Sequence, residues 1–179
     1  MNCTRSFAKD ARGLFMAYKY KVLLRIAPAV FFLDLLTKWL VMQHLGIGEQ
    51  IAILPNFFDL VHIRNTGAAF GMLASVSENV RVPFFYAISI FAVGVLIYCF
   101  RNLETSDRFY PIPLSLVSGG VLGNLSDRLR FGNVVDFLSF HVGDKIISGV
   151  ELRWPAFNVA DSAITVSIIL LIAHTFKKQ

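Results

Sequence analysis

The chain has 179 residues, 55% of them apolar, and its 17 Lys and Arg outnumber 12 Asp and Glu for a formal net charge of +5. Soluble domains are nearer 45–50% apolar, and here the apolar residues gather into long runs, which argues against a soluble globule. His44, His62, His141 and His174 stand apart without ligand spacing, and Cys3 and Cys99 form no metal signature, so a His-Glu-x-x-His zinc protease is excluded.

Four runs have the roughly 20 residues needed to cross a membrane. They cover residues 22–41, 82–100, 109–129 and 157–176. The expected fold is therefore an all-α polytopic membrane protein, one domain over 1–179, with longer connections at 42–81 and 130–156. Arg5, Lys9, Arg12, Lys19, Lys21 and Arg25 precede the first run, and Lys177 and Lys178 follow the last. The positive-inside rule then puts both termini in the cytoplasm and the two long connections outside. Basic flanks of this kind are explained by topology and anionic lipid, so no nucleic-acid partner is expected. The first run is too long for the apolar core of a signal peptide and contains Asp34 and Lys38, so it is read as a retained span. Both cysteines fall on the cytoplasmic side, where no disulfide is expected.

Polar residues inside these runs carry the functional information, because charge within a membrane span is costly and kept for a reason. In the first run Asp34 precedes Lys38 by four, the favourable order for a helical ion pair, and is read as a structural, self-neutralising pair. The first outer connection carries strand-like Phe57-Phe58-Asp59-Leu60-Val61-His62-Ile63-Arg64, then Asn65-Thr66-Gly67, which alone reads as an ordinary turn. In the third run Gly119 and Gly123 form a small-xxx-small step that lets helices approach. Asn124 and Arg128 share one helix face, while Asp127 points elsewhere, toward Arg130 or another helix. The second outer connection holds Val134-Val135-Asp136-Phe137-Leu138-Ser139-Phe140, also strand-like, and the two strands are expected to pair as a small sheet on the outer membrane surface. Asn158, Asp161 and Thr165 share a face of the fourth helix. Asp161, near its outer end, reads equally as an acid complementing the helix dipole and as a functional carboxylate. Asp136 and Asp161 on one side of the membrane would be a pair able to share one proton, the chemistry of an aspartic protease.

Five blocks in this order resemble the lipoprotein signal peptidase (signal peptidase II) family of bacterial membrane aspartic proteases. They are Asp34-Leu35-Leu36-Thr37-Lys38, the stretch from Arg64-Asn65-Thr66-Gly67 through Ala68-Ala69-Phe70-Gly71, the stretch from Gly119 to Arg128, Val134-Val135-Asp136-Phe137, and Phe157-Asn158-Val159-Ala160-Asp161-Ser162-Ala163. The resemblance implies four helices with a small β-cradle on the outer face. It implies Asp136 and Asp161 as the catalytic dyad, with Asn65, Gly67, Asn124, Arg128 and Asn158 binding substrate or supporting the site. Asp34, Lys38 and Asp127 are implied as structural polar residues. The implied substrates are prolipoproteins, cut just before a diacylglyceryl-modified cysteine at the outer face of the bacterial inner membrane, with no cofactor or metal and with membrane lipid as the surrounding partner. Two features depart from the family pattern: a longer connection at 143–150 and an extended basic stretch before residue 22. Two rival readings are an ion- or proton-coupled transporter with an Asp34, Asp127 and Asp161 relay, and a non-catalytic assembly factor. No inverted repeat supports the first, and the polar groups exceed what packing needs for the second.

Overall fold

The computed structural model describes residues 3–67, 76–104, 107–147 and 150–177, with 3–17, 144–147 and 150–151 as backbone only. The Ala68-Ala69-Phe70-Gly71 half of the second block lies outside the described residues. In chain order the elements are α1 (Cys3–His44), β1 (Gln50–Leu54), β2 (Phe58–Asn65), α2 (Glu78–Asn102), α3 (Pro111–Phe131), β3 (Val134–Ile147), β4 (Val150–Arg153) and α4 (Val159–Lys177).

Helices α2, α3 and α4 fall within a few residues of the expected runs. The first does not: α1 begins at Cys3, so the basic stretch before residue 22 is helix continuous with the apolar run. Buried Lys19 on this stretch donates through Nζ to the carbonyls of Phe100 and Arg101. It thereby caps the C-terminal end of α2, where carbonyls lack intrahelical partners and a cation is favoured.

By length and composition α2 and α4 are able to cross a membrane, whereas α1 and α3 carry charged residues within their apolar stretches. The bundle turns large apolar side chains outward, among them Leu24, Phe32, Phe91 and Ile169, and buries Asp34, Lys38 and Asp127. Such an inversion suits an apolar solvent. Hydroxyls in the helices are satisfied locally, as by Ser115 on the Pro111 carbonyl at 2.6 Å, or across helices, as by Ser167 of α4 on the Pro113 carbonyl of α3 at 2.7 Å.

Helix α3 is central, packing against α1, α2 and α4. Its glycines permit this. A Cβ on Gly119 would come within 2.7 Å of the Ala27 carbonyl of α1, and one on Gly120 within 2.6 Å of the Ala160 carbonyl of α4. A side chain at either position would drive the helices apart.

The sheet is antiparallel throughout, in the order β1-β2-β3-β4. The two expected strands do pair, with Phe58 opposite Phe140, Asp59 opposite Ser139 and Ile63 opposite Asp136. Two further strands were not anticipated. Within the longer connection, β3 extends to Ile147 and pairs antiparallel with β4, which begins at Val150. Gly132, at φ 72°, ends α3 with its N–H on the Arg128 carbonyl at 2.8 Å and turns the chain directly into β3. Val41 and Leu45 at the end of α1 pack on Phe137 of β3, seating the sheet on the bundle.

Candidate active site

Three elements bring the polar residues together: the end of α3, the start of β3 and the start of α4. Asp136 lies four residues beyond the Gly132 turn, on the third residue of β3. Its Oδ2 accepts from Asn65 Nδ2 at 2.9 Å, and its Oδ1 from Asn158 Nδ2 at 2.8 Å. Asn65 is itself oriented by the Gly67 N–H, which donates to its Oδ1 at 3.0 Å. The Asn65-Thr66-Gly67 turn thus has a second use, aiming a donor at Asp136.

Asp161 sits in the first turn of α4. The Asp161 N–H donates to Asn158 Oδ1 at 2.9 Å while the Asn158 N–H donates to Asp161 Oδ2 at 3.2 Å. This reciprocal pair is a capping box built from Asn and Asp, and it satisfies orphan donors at the helix N-terminus. The other carboxylate oxygen, Oδ1, accepts from Asn124 Nδ2 at 2.8 Å. The dipole-complement and functional readings of Asp161 are therefore compatible: the cap fixes where the carboxylate points.

Asn158 is fully buried and uses every polar atom of its side chain. Besides Asp136, its Nδ2 contacts Asn124 Oδ1 and the Val135 carbonyl, each at 3.2 Å. Asn124 joins this pair to a second buried cluster. Lys38 Nζ donates to Asn124 Oδ1 at 3.1 Å and forms ion pairs with Asp34 Oδ2 at 2.7 Å and Asp127 Oδ2 at 2.9 Å. Asp34 and Asp127 each spend an oxygen on backbone: Asp34 Oδ1 accepts from the Ala160 N–H at 2.9 Å and Asp127 Oδ2 from the Val135 N–H at 3.1 Å. The triad therefore ties α1 to the residues beside both candidate acids. Asp127 pairs with Lys38 of α1 and not with Arg130.

Arg128 lies over the Phe85 ring, its Cζ 4.8 Å from the centroid, and feels the charges of Asp161, Asp136 and Asp127. With Asn65, Gly67, Asn124, Asp136 and Asp161 it lines a cavity of about 810 Å³, whose remaining wall is largely apolar and includes Trp154, Pro155, Phe157 and Ile164. That volume falls in the range of ligand sites, about 300–1,000 Å³. Burial of Asp136, and after it the charge of Asp161, pushes its carboxyl up to about 7; donation from Asn65 and Asn158, and the charge of Lys38, pull the other way. Among the described residues no group of His, Cys, Asp and Glu is arranged to hold a metal ion.

Every site residue expected from the sequence lies in this connected arrangement. Sequence reasoning missed a separate cluster in the sheet, buried Asp59, His141 and Ser139 with half-buried Arg153. It also missed the wall 154–156. Their sequence signals, an acid within an alternating strand and a Trp-Pro pair, are commonplace.

The signal peptidase (SPase) II family model matches residues 26–177. A lipoprotein signal peptidase of Syntrophotalea carbinolica is 45% identical over 154 residues, 86% of this chain and 90% of that one. One of Syntrophus aciditrophicus is 39% identical over 86% of this chain and 91% of its own. Among solved structures, a bacterial membrane enzyme determined by the in meso method at 2.3 Å resolution superposes with a TM-score of 0.71 at 33% identity, covering 87% of each chain. This membrane protein, built of helices and a small antiparallel sheet, belongs to the signal peptidase II family of peptidases.

Proposed function

We propose that this chain removes signal peptides from prolipoproteins as an aspartic endopeptidase whose catalytic pair is Asp136 and Asp161. One observation carries the assignment of roles: a single buried side chain, Asn158, holds both acids at the wall of one cavity. Family membership supports the peptidase reaction and the prolipoprotein substrate. It lends nothing to the rival reading of an ion- or proton-coupled transporter.

In this mechanism the pair shares one proton near neutral pH, because two close carboxylates resist double ionisation. With its carboxyl raised to about 7, Asp136 is able to carry that proton near neutral pH. One acid of the pair, ionised, takes a proton from the attacking water, while the other, protonated, donates its hydrogen bond to the scissile carbonyl. Collapse of the tetrahedral intermediate passes the proton to the departing cysteine amine and leaves the signal peptide with a free carboxylate. Arg128 and Asn124 orient the substrate from the cavity wall. Asn65, Gly67 and Asn158 hold Asp136 in place.

All four helices span the bacterial inner membrane with both termini cytoplasmic, and the sheet lies at the outer face. Asp161, in the first turn of α4, then lies in the zone where headgroups meet acyl chains. A water-borne peptide reaching that depth would strand backbone polar groups at a cost of several kcal/mol. A substrate with an apolar signal helix and two acyl chains resides there already, each buried methylene adding about 0.8 kcal/mol of anchoring. The test compares one prolipoprotein with and without its diacylglyceryl group at equal membrane incorporation. Cleavage before the cysteine in the lipidated form, and little without lipid, is expected; equal rates would contradict the depth requirement, and no cleavage of either the peptidase reading.

A further inference from the structure

The sheet contains a buried ionic cluster that the site above does not use. Asp59 of β2 is 4% exposed, and its Oδ2 lies 3.1 Å from Arg153 Nη1 and 3.2 Å from His141 Nε2. Arg153 Nη1 also donates to Ser139 Oγ at 2.8 Å. The four residues come from three strands, and their placement is set by register: Asp59 stands opposite Ser139, and His141 opposite Arg153. Burying an acid with its partners in a sheet that could be held by apolar pairs is weak evidence of stabilisation, so a positional role is the better account.

The chain immediately beyond Arg153 indicates that role. β4 ends at Arg153, and Trp154, Pro155 and Ala156 form a strap. The strap is pinned at its start by the Trp154 N–H on the Phe140 carbonyl at 2.8 Å. At its far end Phe157 exchanges backbone bonds with Leu138, at 3.0 and 2.8 Å. Pro155 has no N–H to give. All three strap residues wall the catalytic cavity on one side and, on the other, a second cavity of about 630 Å³. The Arg153 end of the strap is anchored by a charge, and that charge is held by Asp59.

We propose that Asp59, acting through Arg153, is a positioning residue that sets the Trp154–Ala156 wall and thereby how well substrate is held, without contributing to the chemical step. The inference rests on the peptidase reading. The catalytic acids are insulated from the strap: Phe157 is bonded to Leu138, and Asn158 is held independently by Asn124, Val135 and Asp136. Loosening the strap upstream of Phe157 therefore weakens binding in ground and transition states alike, which raises KM and leaves kcat in place.

The experiment measures kcat and KM for a lipidated prolipoprotein in detergent micelles with the intact chain and its variants. Asp59→Asn and Arg153→Gln are each expected to raise KM about tenfold with kcat within about twofold, the pattern of lost uniform binding. The double variant should be no worse than either single one, because they break the same contact. Arg153→Lys, which keeps the charge on Asp59, should recover part of the KM. A fall in kcat at unchanged KM, or additive effects, would overturn the proposal. Should Asp59→Asn fail to fold, the Arg153→Gln and Arg153→Lys comparison decides: equal KM values in those two, whether raised or not, would also overturn it. Wild-type cleavage in the same assay tests the peptidase reading separately, since its absence is a failure of that reading and not of the strap.

Discussion

The amide of Asn158 donates to the amide oxygen of Asn124 at 3.2 Å, and each of these two residues holds a candidate catalytic acid. Asn158 donates to Asp136, and Asn124 to Asp161. The acids, on β3 and α4, are thus linked through a pair of neutral side chains that add hydrogen bonds without adding charge.

Truncating this link should cost activity before it costs the fold. Asn158→Ala removes the cap of α4, worth about 1 kcal/mol, and strips Asp136 of a donor, worth about 1–3 kcal/mol when the acceptor is buried. The expected result is a loss in kcat of roughly 10- to 100-fold, at about 1.4 kcal/mol per decade, with membrane-inserted protein recovered. Asn124→Ala should lose a similar amount, and the double variant less than the product of the two. Near-normal kcat for Asn158→Ala would show that Asp136 needs no such support.

The pH dependence stems from Asp136, whose carboxyl is raised from 3.8 to about 7, first by burial and then by Asp161. A raised pKa means that the folded protein binds more protons than the unfolded chain between those two values, so stability declines as pH rises through that interval. Below about 4 both states are protonated there and the contribution is fully present. Activity should fall on the alkaline side with an apparent pKa near 7, as the pair loses its shared proton. In thermal melts, Asp136→Asn should flatten the decline between pH 4 and 7. An unaltered melting profile in that variant would locate the titration elsewhere.

Lys38 is 1% exposed and surrounded by Asp34, Asp127 and Asn124, so its removal leaves two buried carboxylates facing each other. Lys38→Met should cost about 3–5 kcal/mol, the usual penalty for breaking a buried ion pair from one side. At about 2–4 °C per kcal/mol for a chain of this size, the midpoint in detergent should drop by roughly 10 °C. Asp34→Asn should act in the same direction. An unchanged midpoint with lost activity would move Lys38 from the scaffold into the chemistry.

Much of this arrangement was legible in the sequence because a membrane span makes polar residues conspicuous. Asp34, Lys38, Asn124, Asp127, Asp136, Asn158 and Asp161 each interrupt or border an apolar run, and each takes part in the connected network. Partner choice was less legible. Helical spacing puts Asp127 on a face of α3, but it takes the packing of α3 on α1, through Gly119, to bring that face to Lys38. The strands β1 and β4 and the Asp59 cluster were missed for a different reason. In a half-buried sheet an acid every few residues is ordinary alternation, and whether Asp59 points at solvent or at Arg153 depends on a register set by strands far apart in the chain. That the basic stretch before residue 22 is helical was not read from the sequence, because its basic residues lower hydropathy without breaking a helix.

The most direct test of the central claim is the turnover of a diacylglyceryl-modified prolipoprotein by wild type, Asp136→Asn, Asp161→Asn and the double variant, each purified in the same detergent and checked for folding. The substitutions keep shape and remove the titrating group, so each single variant should lose measurable turnover. The double should lose no more than the singles, because the two acids act as one unit. Near-normal turnover in either folded single variant would contradict the assignment of Asp136 and Asp161 as the catalytic pair.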